Sequence, residues 1–178
     1  MDPIGPLMTE HRLIERMIVL IKKELENIKE NMEINPVFID TAVDFFRTYA
    51  DKTHHGKEED ILFRELGRKP LSDEDTKVMG DLTEEHARAR QMVTSLSEEN
   101  KKYVDGDKEA LQNILMLIDE LCLFYPAHIK KEDEHFFISA MTYLNDQEKE
   151  LIVQEFATFD KTMIHEKYKN IVEDLESK

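Results

Sequence analysis

At 178 residues the chain is long enough for one domain with a real core and too short for two of ordinary size. Five Gly, five Pro, no Trp and nine Met, with no sustained alternation of apolar residues, exclude a β-rich fold and predict an all-α protein. The formal charge of −15 repels phosphate backbones and no basic stripe relieves it, so nucleic acid is not an expected partner.

The first helix is predicted from near Pro6 to about Asn31, with Leu7, His11, Ile14, Ile18, Ile21, Leu25 and Ile28 on one stripe. A second starts at Pro36, a good first-turn residue, and runs to "GRKP" with Phe38, Ala42, Phe45, Tyr49, Lys52, His55, Glu59, Leu62 and Leu66 on its stripe. The third opens at the N-cap Ser72, with Asp75 in its first turn, and carries Val78, Leu82, His86, Ala89, Val93 and Leu96 before fading near "VDGD". The fourth, about Lys108 to Tyr143, carries Leu111, Leu115, Ile118, Leu121, Tyr125, His128, Glu132 and His135, with a kink expected at Pro126. Asn145 and Asp146 introduce one last helix, over about residues 146 to 176. The expected fold is an antiparallel up-down four-helix bundle over about residues 6 to 144, with the additional C-terminal helix packed outside it, in a single domain spanning 1–178. The N-terminal "MDPIGPLMTEHRL" lacks the basic start and apolar core of a signal peptide. A lone cysteine, Cys122, cannot form an intramolecular disulfide framework, and no run approaches the length of a bilayer span. A cytoplasmic protein with no membrane partner is expected.

One stretch is too polar for the buried helix it lies in. "HIKKEDEHFF" at residues 128–137 and the segment starting at His55 both read H-x-K-x-E-D-x-x-F, offset by 73 residues. "LMTEH" and "LTEEH" both read L-x-x-E-H, ending on His11 and His86, offset by 75. The chain is thus two helical hairpins of one plan, H…HxxxE…H…HxxxE. Residues four apart lie about 40° apart round a helix and about 6 Å apart along it, so each HxxxE aims an imidazole and a carboxylate into one space. Any one of these histidines alone would read as a core residue. Gathered together, His11, His55, His86 and His128 with Glu59 and Glu132 form a set whose buried carboxylates need cationic partners. A pair of divalent metal ions supplies them, and imidazole with carboxylate but no thiolate suits iron or manganese, with zinc also compatible.

These motifs resemble the hemerythrin-like (HHE cation-binding) domain family over about residues 5 to 145. The resemblance implies a non-haem di-iron site with the four histidines as terminal imidazoles and Glu59 and Glu132 as bridging carboxylates. The oxygen carriers of the family have an HxxxH pair on the third helix, where this chain has Leu82 and Arg90 four positions either side of His86. They also use an aspartate five residues after the fourth-helix histidine, where this chain offers both Glu132 and Asp133; the internal repeat selects Glu132 and leaves Asp133 as the alternative. The pattern is closer to the di-iron domain of the repair-of-iron-centres proteins, without their cysteine-bearing leading domain. The set is one imidazole short of the carriers' five, and His165 on the last helix is the candidate to complete it.

Glu58 and Glu15 are further candidate ligands, read first as solvated, while His54 is expected at the surface and His135 beyond reach of the same metal. Tyr49 and Tyr125 are candidates for the ligand pocket, with Phe45, Phe63, Phe136, Ile14 and Leu62 as an apolar lining. The expected function is binding or sensing of a small diatomic ligand, O2 or NO, at two iron ions. The alternatives are a di-iron enzyme reducing peroxide or NO, an iron donor for iron-centre repair, and a metal-responsive interaction module; no electron donor or protein partner is identified.

Overall fold

The computed structural model describes residues 2–160 and 163–177. Its helices are α1 (Ile4–Asn31), α2 (residues 36–66), α3 (Asp73–Val104), α4 (Ala110–Ala140), α5 (Asp146–Phe159) and α6 (Met163–Glu176), with no strand among the described residues. The starts follow from local chemistry. The Asn35 side chain accepts the Phe38 N–H ahead of Pro36, Ser72 accepts the Asp75 N–H, and Asn145 forms a reciprocal capping box with Glu148. At the end of α1, Met32 turns into the left-handed region at φ 56° and returns its N–H to the Ile28 carbonyl.

α4 packs against α3 and α1, and α2 packs against α3, closing the four-helix bundle. α6 lies along α1 and the first half of α2, and α5 along the second half of α2. The single last helix expected from sequence is therefore two, separated after Phe159, where Asp160 leaves helical geometry at ψ 79°. Among the described residues α4 alone is, by length and composition, apolar enough to cross a membrane, contrary to the expectation that no segment would be. Here it is the helix that joins α1 to α3 and carries His128 and Glu132 into the interior.

The bundle has two apolar clusters rather than one. Ile14, Ala50, Ala89 and Tyr125 belong to the larger, and Leu7, Leu62, Leu82 and Phe136 to the smaller. Between these pairs, on each of the four helices, lies an ionisable layer: His11 on α1, His54, His55 and Glu58 on α2, His86 on α3, and His128 and Glu132 on α4, all buried.

Two of the helices are wound wide where they cross this layer. Phe46–His55 and Glu58–Phe63 of α2, and Glu132–Phe136 of α4, are π-helical. In an α-helix a column at steps of four drifts by about 40° per step and soon leaves its face. In the wider turn of a π-helix, closed by i→i+5 bonds, four residues fall short of a full turn, so α and π turns in succession cancel the drift. Ala42, Phe46, Ala50, His54, Glu58, Leu62 and Leu66 accordingly stay buried in one unbroken column. α4 runs through Pro126, and its departure from α geometry comes six residues later, at Glu132.

The register makes a sharp contrast between neighbours on α4. Ile118 is fully buried in the larger cluster and Met116 is 64 % exposed. Ile118→Ala should lower stability by about 2–5 kcal/mol, and Met116→Ala should change it by less than about 0.5 kcal/mol, both read from urea unfolding midpoints.

Candidate metal centre

Ring nitrogens of His55, His86 and His128 lie within 4.8 Å of one another, and so do ligand atoms of His11, His54, Glu58 and Glu132. The two glutamates join these groups. Glu58 turns Oε1 to His54 Nε2 at 3.5 Å and Oε2 to His86 Nε2 at 3.4 Å. Glu132 turns Oε2 to His11 Nε2 at 3.2 Å and Oε1 to His128 Nε2 and His86 Nε2 at 3.3 and 3.6 Å. Each carboxylate thus has one oxygen on the three-histidine side and one on the two-histidine side. All four oxygens are buried without a hydrogen-bond partner, as are His86 Nε2 and His128 Nε2.

Four of the histidines are held from behind by a second carboxylate. His11 Nδ1 lies 2.7 Å from Asp133, His54 Nδ1 2.8 Å from Glu10, His86 Nδ1 2.7 Å from Glu59 and His128 Nδ1 2.8 Å from Glu85. A carboxylate can only accept, so each Nδ1 carries the hydrogen and each Nε2 of a neutral ring presents its lone pair inward. Those carboxylates are anchored in turn: Asp133 by Arg12, Glu10 by Lys57, Glu59 by Arg90 and Glu85 by Lys131. Aromatic rings cover the imidazoles, Phe137 stacking on His11, Phe63 on His86 and Phe124 on His128.

The charge states without metal show what the layer lacks. Burial, reinforced by Glu132, raises Glu58 well above the usual carboxylate range. Burial pulls Glu132 the same way, but His128, His11 and His86 hold it well below that range. Burial would lower His11, yet its bonds to Asp133 and Glu132 outweigh this and raise it to about 9. Burial and the His11 charge lower His54 to about 4. Burial, with His86 and His128 alongside, lowers His55 well below its ordinary value. The raised proton affinities of Glu58 and His11 mark the places where positive charge is favoured. His11 Nε2 and His54 Nε2 are only 2.8 Å apart, a contact between two acceptors unless a proton or metal lies between them.

Five residues expected at the site converge there: His11, His55, His86, His128 and Glu132. Glu59 does not. Its side chain is 25 % exposed and bonds the outer nitrogen of His86 and Arg90, while Glu58, expected in solvent, is fully buried inside. His54, expected at the surface, is 1 % exposed and brings the number of inward imidazoles to five. The reason is the straight column of α2, which carries His54 and Glu58 inward while His55 remains on the same broad face. The sequence "HHGKEE" holds two overlapping HxxxE registers, and the internal repeat favours Glu59, which lies behind His86, over Glu58, which lies inside. The steps-of-four column through Ala42, Phe46, Ala50, Leu62 and Leu66 was the signal for the other.

Asp133 sits behind His11 rather than in the centre, Glu15 pairs with Arg12 near solvent, and His135 is exposed. Tyr49 bonds His165 Nδ1 through its hydroxyl at 3.1 Å, and Tyr125 stacks on Phe46 beside a separate cavity. His165 belongs to neither central group. It lies 3.4 Å from Glu10 and 3.0 Å from Asp160, a third cluster of metal-ligand type. Lys57, fully buried, already places its ammonium on both of those carboxylates. Burial would raise Asp160, but its bonds to His165 and Lys57 hold it below the usual range.

Seven converging donors, all imidazole or carboxylate and seven of their atoms unpartnered, His55 Nδ1 among them, fit divalent metal ions. A family model described as the hemerythrin HHE cation binding domain matches residues 2–139. No curated protein and no solved structure matches the chain.

Two consequences can be measured on the metal-free protein. Glu58→Met removes two buried oxygens that nothing satisfies and should raise stability by about 1–3 kcal/mol in urea unfolding. His11 is held at about 9 against an ordinary 6.5, so its contribution to stability is complete below about pH 6.5 and is lost as pH rises through about 9. Asp133→Asn should flatten that alkaline loss in unfolding midpoints taken from about pH 6 to about pH 10.

Proposed function

This chain belongs to the hemerythrin HHE cation-binding domain family, and on that premise we propose that its polar layer holds two iron ions and binds or senses O2 or NO. The observation that carries the reading is the pair of glutamates, each with one unpartnered oxygen toward the three-histidine group and one toward the two-histidine group. His55, His86 and His128 would hold one ion and His11 and His54 the other, with Glu58 and Glu132 shared between them. Iron fits this donor set, and manganese or zinc would also be accepted. When bound, an iron pair supplies open coordination positions and the electrons a diatomic ligand can accept.

The protein's own residues set the conditions for that chemistry. Asp133, Glu10, Glu59 and Glu85 fix the ring orientation and tautomer of four imidazoles and raise their basicity. Phe63, Phe136 and Phe137 pack beside the layer from the smaller cluster and keep bulk water out. The two-histidine side offers one protein donor fewer, so it is the side with room for an added ligand.

A second reading, reduction of peroxide or NO, draws on a different observation. A chain of ionisable contacts runs from His165, 35 % exposed and 3.4 Å from Glu10, through the Glu10 bond to His54 Nδ1. Such a path suits a reaction that consumes protons.

Reconstituted wild-type protein should hold about two irons per chain, and Glu58→Ala about one or none by metal analysis. Glu59→Gln should keep the full stoichiometry and lose affinity by about 10–100-fold, the usual effect of removing a carboxylate behind a ligating histidine. Less than one metal per wild-type chain would falsify the reading. Stopped-flow mixing of the reduced protein with O2 or NO then separates the two functions: a lasting adduct marks binding, and turnover with added reductant marks an enzyme.

A further inference from the structure

A cavity of about 270 Å3 opens between α2, α3 and α4, outside the polar layer. Phe46, Ala89, Val93 and the ring of Tyr125 form its apolar walls. Its charged lining reverses the sign of the molecule. In a chain with 39 acidic and 24 basic side chains, Arg47, Lys52 and Arg90 face this one space against a single acid, Asp51. Arg90 already holds Asp51 and Glu59, each at 2.7 Å. Arg47 and Lys52 are exposed and make no ion pair among the described residues, so the net charge offered to a ligand is positive.

The floor adds a directional group. Tyr125 is 1 % exposed, and its hydroxyl makes no hydrogen bond to a described residue although it lies on the cavity wall. Burial pushes this phenol above its usual range, so it keeps its hydrogen and can donate. Apolar walls with a few convergent polar groups are the ordinary makeup of a small-molecule site. Arg47, Lys52 and the Tyr125 hydroxyl all offer hydrogens to this space, which favours an acceptor bearing negative charge.

We propose that this cavity is a binding site for a small organic anion of benzoate size, its apolar body against Phe46, Ala89 and Val93 and its carboxylate toward Arg47, Lys52 and the Tyr125 hydroxyl. The site stands independently of the metal, and it touches the metal centre at one remove. Asp51 on its wall lies 3.4 Å from His55 Nδ1, and Arg90 holds Glu59, which holds His86. An anion that draws Arg90 toward itself loosens Glu59 behind His86.

The test is calorimetric titration of the full metal-free chain with benzoate and with its neutral counterpart, benzyl alcohol. Saturable one-to-one binding of benzoate, much tighter than benzyl alcohol, is expected. The exposed double variant R47E/K52E should weaken it by at least about tenfold. Thr94→Phe, which fills the mouth from an exposed position, should do the same. Both variants should keep wild-type helicity and iron content, so failure here is distinct from failure of the metal reading. Absence of saturable benzoate binding, equal affinity for benzyl alcohol, or binding indifferent to both variants would overturn the proposal.

Discussion

The structure depends on one electrostatic problem. Two carboxylates and five imidazoles are buried in the middle of a helical bundle, and the four carboxylate oxygens have nothing in the protein to bond. Unpaired ions in a low-dielectric interior cost several kcal/mol each even after relaxation. Without metal the layer answers this cost through its proton affinities: burial and Glu132 raise Glu58, burial lowers His54 and His55, and the bonds of His11 to Asp133 and Glu132 raise it against its own burial. The split apolar core, the stacked aromatic rings and the ring of outer carboxylates are all arranged around that layer. A bundle built for stability alone would place leucine at these positions and have one continuous core.

The widened turns solve a second problem, that of aiming. Two adjacent histidines, His54 and His55, must both face inward on one helix although residues one apart in an α-helix point about 100° apart. Slower winding over Phe46–His55 brings them onto one broad face, and a second wide stretch sets Glu58 beneath them. α4 needs a similar adjustment only at Glu132–Phe136, where a single histidine and a single glutamate contribute. π-helical turns of this kind concentrate at functional sites because they are strained relative to the α form and persist only where side chains reward them.

Much of this was legible in the sequence. Helix starts announced themselves through Asn35-Pro36, Ser72 and Asn145, whose effects are local. The doubled H…HxxxE pattern disclosed His11, His55, His86, His128 and Glu132, because one residue per turn on a regular helix is enough to place them. What stayed hidden were the features that depend on winding. Helical pattern reading assumes 3.6 residues per turn throughout, and under that assumption Glu59 follows His55 and His54 points to solvent. The choice between Glu58 and Glu59 rests on a tertiary reward, burial of a whole column. The break at Asp160 was equally unreadable, since neither glycine nor proline marks it.

Lys57 and Glu10 are each one residue away from a member of the layer, Glu58 and His11, and pair with one another behind His54. Together they grip Asp160 and His165, beyond the span of the family match. Undocking the C-terminal segment would therefore break the Lys57–Asp160 and Glu10–His165 contacts together and leave the Lys57–Glu10 pair without its outer partners. The docking of the last two helices is thereby tied to the charge balance directly behind His54.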